Sequence, residues 1–143
     1  MDVNGWTLYW HPAFKKQFQN LLETVEGLAE KHPDHFFENG HAKLLRRIVE
    51  LIEEEIPSEP GHANYIQGKT LGAANTHWRR AKFLGRFRLF FRFSSSAKII
   101  IYAWVNDENS LRQAGGRNDP YVIFEKMLKS GNPPTGWSEL LEA

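Results

Sequence analysis

A run of cations from His77 to Lys98 is the part of this 143-residue sequence best suited to chemistry. It holds seven Lys and Arg side chains and no carboxylate, although the net charge of the whole chain is only +1. A local field of one sign attracts polyanions. The alternative is that these cations pair with carboxylates elsewhere, such as those of Glu53, Glu54 and Glu55. The cations are Arg79, Arg80, Lys82, Arg86, Arg88, Arg92 and Lys98.

Three of these cations have a spacing that suits catalysis on RNA. Cleavage of RNA without a metal needs a base for the 2′-hydroxyl, an acid for the leaving oxygen and cations for the charge on the phosphorane. Arg80 and Lys82 are two residues apart, and Arg88 follows on the next predicted strand. Crowded cations favour the neutral form of a lysine. We therefore predict Lys82 as the base, with Arg80 and Arg88 as charge stabilisers.

Polar residues after the cationic run could complete such a site. Asn106 and Asp107 follow the third predicted strand and could orient a substrate or a proton donor, although Asn-Asp is also common in turns. Arg112 and Tyr121 are further candidate donors in the same region, and Tyr121 could instead pack in the core.

The remaining cations of the run predict an RNA-binding surface around these residues. Arg86, Arg88, Phe90 and Arg92 alternate with an apolar set that we assign to the core. Trp78 and Phe90 are expected to stay exposed beside the cations, where an aromatic ring could stack on a base. The predicted RNA-binding residues are Trp78, Arg79, Arg86, Arg92 and Arg112, and the predicted core set is Phe87, Leu89, Phe91 and Phe93.

Several function classes are excluded by composition. There are no cysteines, so disulfides, thiolate nucleophiles and thiolate zinc sites are ruled out. The histidines lack zinc-type spacing, no acidic cluster accompanies the basic strands, and no phosphate-binding glycine motif is present. We predict no metal and no cofactor. No signal segment and no apolar run of membrane-spanning length occurs, which predicts a cytoplasmic protein without a membrane partner.

The hydrophobic pattern predicts the elements that position these residues. The order of strand, two helices, three strands and helix predicts a single α+β domain over residues 1–143, with two helices packed on an antiparallel sheet. The third strand of the meander is almost wholly apolar, so we expect it to be central. The predicted strands are Trp6–Trp10, Trp78–Leu84, Arg86–Phe93 and Lys98–Val105, and the helices are Pro12–Lys31, His41–Ile56 and Asp119–Lys129.

Longer stretches of the sequence resemble the YhaV toxins of the RelE superfamily. These stretches are WTLYWHPAF, HWRRAKFLGRFRLFFRFS, WVNDENSLR and DPYVIFEKMLKSGNPP. The resemblance implies a RelE-like fold, in which an N-terminal strand and two helices pack on an antiparallel β meander, with a further C-terminal helix. It also implies a type II toxin, an endoribonuclease that cleaves mRNA on translating ribosomes and so inhibits translation. A PrlF-type antitoxin with an AbrB-like fold would neutralise it, and the toxin would reach operator DNA only within that complex.

The resemblance also places the site residues. The R-x-K of the superfamily falls on Arg80 and Lys82, and the arginine of the following strand falls on Arg88. Many members carry a basic residue or a histidine and tyrosine where this chain has Asn106-Asp107-Glu108, which leaves the general acid open. The alternatives to an enzyme are a non-catalytic protein that occupies RNA or the ribosome, and a pure protein-interaction subunit.

Overall fold

The computed structural model describes residues 1–107 and 116–143. Its strands are β1 Asp2–Val3, β2 Trp6–Trp10, β3 Arg79–Phe83, β4 Phe87–Ser94 and β5 Ile99–Val105. They form one five-stranded mixed sheet in the order β1-β2-β5-β4-β3, within an α+β fold. The predicted antiparallel meander of β3, β4 and β5 is confirmed, and so is the central position of β5.

The direction of the N-terminal strand corrects the sequence analysis. β2 pairs with β5 in parallel, with Thr7 opposite Ile99, so the sheet is not antiparallel throughout. Parallel pairing requires a crossover connection of a dozen or more residues. The helices that follow β2, together with β3 and β4, form that connection. The hydrophobic pattern of a strand carries no information about the direction of a distant partner, which is why this pairing was not predicted.

Helices on one face of the sheet enclose the larger core. Helix α1 spans Pro12–Lys31, as predicted. Helix α2 spans Gly40–Glu50 and continues through a π turn, Leu51–Glu55, into the short helix α3, Ile56–Ser58. The predicted second helix is thus confirmed in extent, but a π turn interrupts it. Among the described residues, no helix is both long and apolar enough to cross a bilayer.

His11 begins helix α1 with a side-chain cap. Its Nδ1 atom accepts a hydrogen bond from the backbone N–H of Ala13 at 3.1 Å, and the residue is only 4% exposed. Burial lowers the pKa of His11. The neutral ring can accept this hydrogen bond, whereas the doubly protonated ring cannot. The cap therefore depends on an uncharged histidine.

The His11 cap predicts a pH-dependent stability. Because the pKa of His11 is lower in the folded chain than its ordinary 6.5, the unfolded chain binds the proton more readily. The contribution of the neutral His11 side chain to the free energy of unfolding is present above pH 6.5. It is lost as the pH falls through the pKa that His11 has in the folded chain. We expect the free energy of unfolding, measured in urea, to decrease more steeply on acidification for the wild type than for His11→Asn. Asparagine can cap the helix but does not titrate. His11→Ala removes the cap and should lower the free energy of unfolding by about 1 kcal/mol at neutral pH. Equal pH slopes for wild type and His11→Asn would contradict this role.

A second core covers the other face of the meander. Helix α4, Pro120–Ser130, and helix α5, Trp137–Glu142, pack on this face. The ring of Phe90 stacks on that of Phe124 at 4.4 Å, and the ring of Trp78 meets Phe124 edge-on at 5.1 Å. Both Phe90 and Trp78 are fully buried, so the expectation that they are exposed for base stacking is wrong. The apolar side of α4 requires apolar partners on the sheet, and these two rings provide them.

Candidate active site

The hydroxyl of Tyr121 joins two strands at the centre of the candidate site. Its oxygen accepts hydrogen bonds from Nε of Arg80 at 2.8 Å and from Nε of Arg88 at 3.1 Å. The side chain of Asp119 caps α4 by accepting from the N–H of Tyr121, and Pro120 occupies the first turn. This start of α4 sets the tyrosine against the sheet. The structure thus brings three predicted catalytic residues together, although Tyr121 is distant from the arginines in sequence.

Backbone carbonyls hold the two guanidinium groups in place. Nη1 of Arg80 donates to the carbonyl oxygen of Asn64 at 2.8 Å. Nη1 of Arg88 donates to the carbonyl oxygens of Gly85 and Phe87, both at 2.9 Å. Gly85 adopts a φ of +80° in the β3–β4 turn, which suits glycine and directs its carbonyl to Arg88. Both guanidinium groups therefore have fixed orientations.

The described part of the chain places no acid in an ion pair with the two arginines of this site. Within residues 1–107 and 116–143, no carboxylate forms an ion pair with Arg80 or Arg88. In the same part of the chain, Nη2 of each arginine donates to no protein group, and neither atom is among the fully buried ones. The alternative, in which these cations pair with Glu53, Glu54 or Glu55, does not occur at these two arginines. Two oriented NH2 groups, one on each arginine, can donate to an anion.

Lys82 and Arg86 form the accessible edge of the site. Lys82 lies on β3 directly opposite Arg88 on β4, and its side chain is exposed. Arg86 is exposed in the turn between these strands. An approaching polyanion meets these two side chains before it reaches the more buried arginines.

Asn106 holds the strands of the site together. Its Oδ1 atom accepts from the backbone N–H of Arg88 at 2.7 Å, and its Nδ2 atom donates to the carbonyl oxygen of Arg86 at 3.1 Å. The residue is buried, so its amide positions the backbone of β4. Asp107 beside it is exposed and lines a cleft of about 260 Å³ between α1 and α2.

Other predicted RNA-binding residues lie apart from this site. The guanidinium of Arg79 is 5.6 Å from the ring of Phe93, on the face of the sheet opposite Arg80. Trp78 is buried beneath α4, so the structure contradicts its predicted stacking role. Arg112 and Glu108 are outside the described residues.

Arg92 attaches the C-terminal segment to the sheet. Its guanidinium lies between two indole rings, at 5.8 Å from Trp78 and 5.4 Å from Trp137. It also donates to the carbonyl oxygen of Thr135. Burial lowers the pKa of Arg92. In this environment Arg92 is a packing residue. The alternation of charged and apolar residues along the strand could not distinguish such a residue from a surface cation.

Substitution of Arg92 should therefore lower stability. We expect Arg92→Ala to reduce the free energy of unfolding by about 2 kcal/mol, because it removes two cation–π contacts and a hydrogen bond from a charged group. Arg92→Lys should recover little of this loss, since an ammonium lacks the planar stacking surface. Urea denaturation measures both effects. Arg86→Ala, at the exposed turn, is the matched control and should be neutral; equal effects at the two positions would refute the packing role.

The chemistry of the site is that of hydrogen-bond donors. In the part of the chain that the structure describes, no group of three or more His, Asp or Glu side chains could hold a metal ion. The site offers two guanidinium groups, an ammonium and a phenol hydroxyl. These groups can bind a phosphate, stabilise additional negative charge on it and transfer a proton.

Comparison with known proteins identifies the chain. A family model described as a toxin with endonuclease activity, of a toxin–antitoxin system, matches residues 8–143. The chain belongs to the YhaV toxin family. The toxin YhaV of Escherichia coli O6:H1 is 44% identical over 142 residues, which cover 98% of this chain and 92% of that protein. The ribonuclease toxin YhaV of Escherichia coli K12 is 45% identical over 140 residues, covering 96% and 91%. No solved structure matches this YhaV-family chain significantly.

The residues that surround Lys82 were not predicted from the sequence. The carbonyl of Asn64, the phenol of Tyr65 and the Arg47–Glu55 ion pair all lie next to the site. Residues 57–76 are rich in Gly, Pro, Asn and Ser, a composition typical of an irregular connection. Nothing in this composition indicates that one of its carbonyls holds Arg80. The regular presence of apolar residues in it was the only signal that it packs on the sheet.

Proposed function

We propose that this YhaV-family toxin is a metal-independent endoribonuclease that cleaves mRNA by internal attack of the 2′-hydroxyl. The observation that carries the proposal is the pair of arginines oriented on Tyr121. Among residues 1–107 and 116–143, no carboxylate pairs with either arginine and no protein group accepts from their Nη2 atoms. Such a site is complementary to a phosphate that gains charge in the transition state. The name of the Escherichia coli K12 relative, a ribonuclease toxin, supports the choice of RNA.

The proposed reaction needs a base, groups that stabilise negative charge, and an acid. Lys82 accepts the proton of the 2′-hydroxyl as its oxygen attacks phosphorus. Arg80 and Arg88 stabilise the charge on the phosphorane. The hydroxyl of Tyr121 gives its proton to the 5′-oxygen as the P–O5′ bond breaks, which yields a 2′,3′-cyclic phosphate and a 5′-hydroxyl. The position of Tyr121 supports this role, because its oxygen lies within 3.1 Å of the Nε atoms of both arginines.

Membership of the YhaV toxin family supports a proposal about the partners of this protein. A member of a toxin–antitoxin system has an antitoxin partner. We propose that this partner is a PrlF-type protein with an AbrB-like fold, and that operator DNA is bound only through their complex. The α+β architecture with its β meander is compatible with a RelE-like fold, which supports action on translating ribosomes in the cytoplasm. Exact positioning of mRNA by the ribosome can supply part of the catalysis.

Mapping of mRNA 5′ ends tests the proposed function. The experiment compares cells that express the wild-type chain with cells that express Arg80→Ala, each with and without a block of translation initiation. New ends only with the wild type support a nuclease, and their loss under the block supports action on ribosomes. Arrest of growth without new ends would overturn the proposal in favour of inhibition by occupancy of RNA or the ribosome.

A further inference from the structure

The π turn after α2 creates an arrangement of side chains that a regular helix would not. In a regular α-helix, residues eight positions apart differ in direction by about 80°. The additional residue accommodated by the π turn brings Glu55 into line with Arg47, and its carboxylate accepts hydrogen bonds from both terminal nitrogens of that arginine. π turns are rare and occur frequently at functional sites. The position of this turn is therefore a reason to look for a ligand.

A pocket lies between this ion pair and the candidate active site. Its volume is about 320 Å³, at the low end of the range for small-molecule sites of about 300–1,000 Å³. Lys82 forms one wall, and Asn64, whose carbonyl holds Arg80, forms another. The lining residues are Arg47, Leu51, Glu55, Asn64, Tyr65 and Lys82. A group bound here would be a direct neighbour of a phosphate bound at the arginines.

The charges around the pocket disfavour a second phosphate. Glu50 lies 3.6 Å from Arg47, and Glu55 engages the same guanidinium, so two carboxylates already compensate this cation. The hydrogen bond between Arg47 and Glu55 raises the pKa of the arginine and lowers that of the glutamate, so both stay charged. A phosphate would be repelled by these carboxylates. A neutral ligand would not.

The lining groups match a nucleobase instead. Leu51 is a buried apolar residue, whereas the other lining side chains carry hydrogen-bonding groups. Burial raises the pKa of Tyr65, so its hydroxyl keeps its proton at neutral pH and can donate. The carboxylate of Glu55 only accepts, and each of its oxygens has a second lone pair beyond the one that receives Arg47.

We propose that this pocket binds the base of a nucleotide next to the cleaved phosphate and selects bases that carry an exocyclic amino group. The inference rests on the proposed endoribonuclease function. Adenine, cytosine and guanine each offer an amino donor to Glu55. Uracil has no amino group, and its one edge N–H lies between two carbonyl oxygens that a carboxylate repels.

The sequences of the cleavage sites test this inference. The experiment maps mRNA cuts made in cells by the wild type, by Glu55→Gln and by Glu54→Gln. For the wild type, we expect uracil to be depleted about tenfold at one fixed position next to the cut, the size of discrimination expected for a good contact to a base. Glu55→Gln should abolish that depletion, because its amide can donate to a uracil carbonyl. Glu54, which is exposed and does not line the pocket, is the matched control and should keep the wild-type pattern.

A second variant keeps the inference testable if Glu55→Gln does not fold. Tyr65→Phe keeps the ring contact with Phe91, at 5.4 Å, and removes only the hydroxyl. We expect it to change the base frequencies at the same position and at no other. If neither Glu55→Gln nor Tyr65→Phe alters that position while both cleave, the inference is overturned. If the wild type makes no cuts at all, it is the proposed function that fails.

Discussion

Arg80→Ala is expected to reduce the cleavage rate by ~10² to 10³, the usual loss when one oriented charge stabiliser is removed. The substitution removes a donor from the hydroxyl of Tyr121 and another from the carbonyl of Asn64. RNA binding should weaken far less, because one phosphate contact contributes only a small part of the affinity and of its salt dependence. Cleavage by the purified variant on programmed ribosomes and a filter-binding titration measure the two effects.

Arg79→Ala is the matched control for this prediction. Arg79 and Arg80 are adjacent in sequence and carry the same charge, but their side chains lie on opposite faces of β3. Only the loss of Arg80 should cause this large reduction of the cleavage rate. Arg80→Lys should also fail, since an ammonium cannot reproduce the fork that spans Tyr121 and Asn64. Equal losses of binding and of cleavage in Arg80→Ala would show that this arginine serves only to bind RNA.

Tyr121→Phe is expected to lower the cleavage rate by about 10² or more, the usual contribution of a general acid. The substitution keeps the ring, which packs edge-on against Phe90 at 5.5 Å, and removes the oxygen that both Arg80 and Arg88 contact. It should also decrease the free energy of unfolding by about 1–3 kcal/mol, because two buried guanidinium groups lose an acceptor. Tyr9→Phe, at an exposed position of β2, controls for loss of a phenol and should change neither quantity.

A sulfur-substituted RNA separates the two roles of Tyr121. When the bridging 5′-oxygen is replaced by sulfur, the leaving group departs without a proton. If Tyr121 is the acid, Tyr121→Phe should cleave this RNA nearly as fast as the wild type does. An equally slow reaction on both RNAs would mean that the hydroxyl acts only by positioning the arginines.

Helices and strands were predicted well where local residues, such as prolines, mark their ends or where the apolar pattern is regular. Helix α1 begins and ends where Pro12 and the following Pro33 require. The apolar face of β4 was predicted from its period of two. The same period of two predicted that Arg80 and Arg88 belong to one site. Alternate residues of a strand lie on the same face of the sheet, so these two arginines on neighbouring strands share a face.

Features that depend on distant parts of the chain were not predictable. The alternation in β4 indicated which residues share a face, but not that α4 covers the second face and buries Phe90 and Trp78. The pocket was missed for a similar reason. Arg47 and Glu55 are eight residues apart, a spacing that a regular helix does not bring together, and the π turn that aligns them has no sequence signature that we can identify.

The chemistry of the new RNA ends is the most direct test of this site. Internal attack by the 2′-hydroxyl leaves a 5′-hydroxyl on one fragment and a 2′,3′-cyclic phosphate on the other. We predict that the cuts made in cells by the wild type are captured by a ligation specific for 5′-hydroxyl ends and are absent with Arg80→Ala. Ends that carry a 5′-phosphate and a 3′-hydroxyl would contradict the account, because they require attack by water instead of the 2′-hydroxyl.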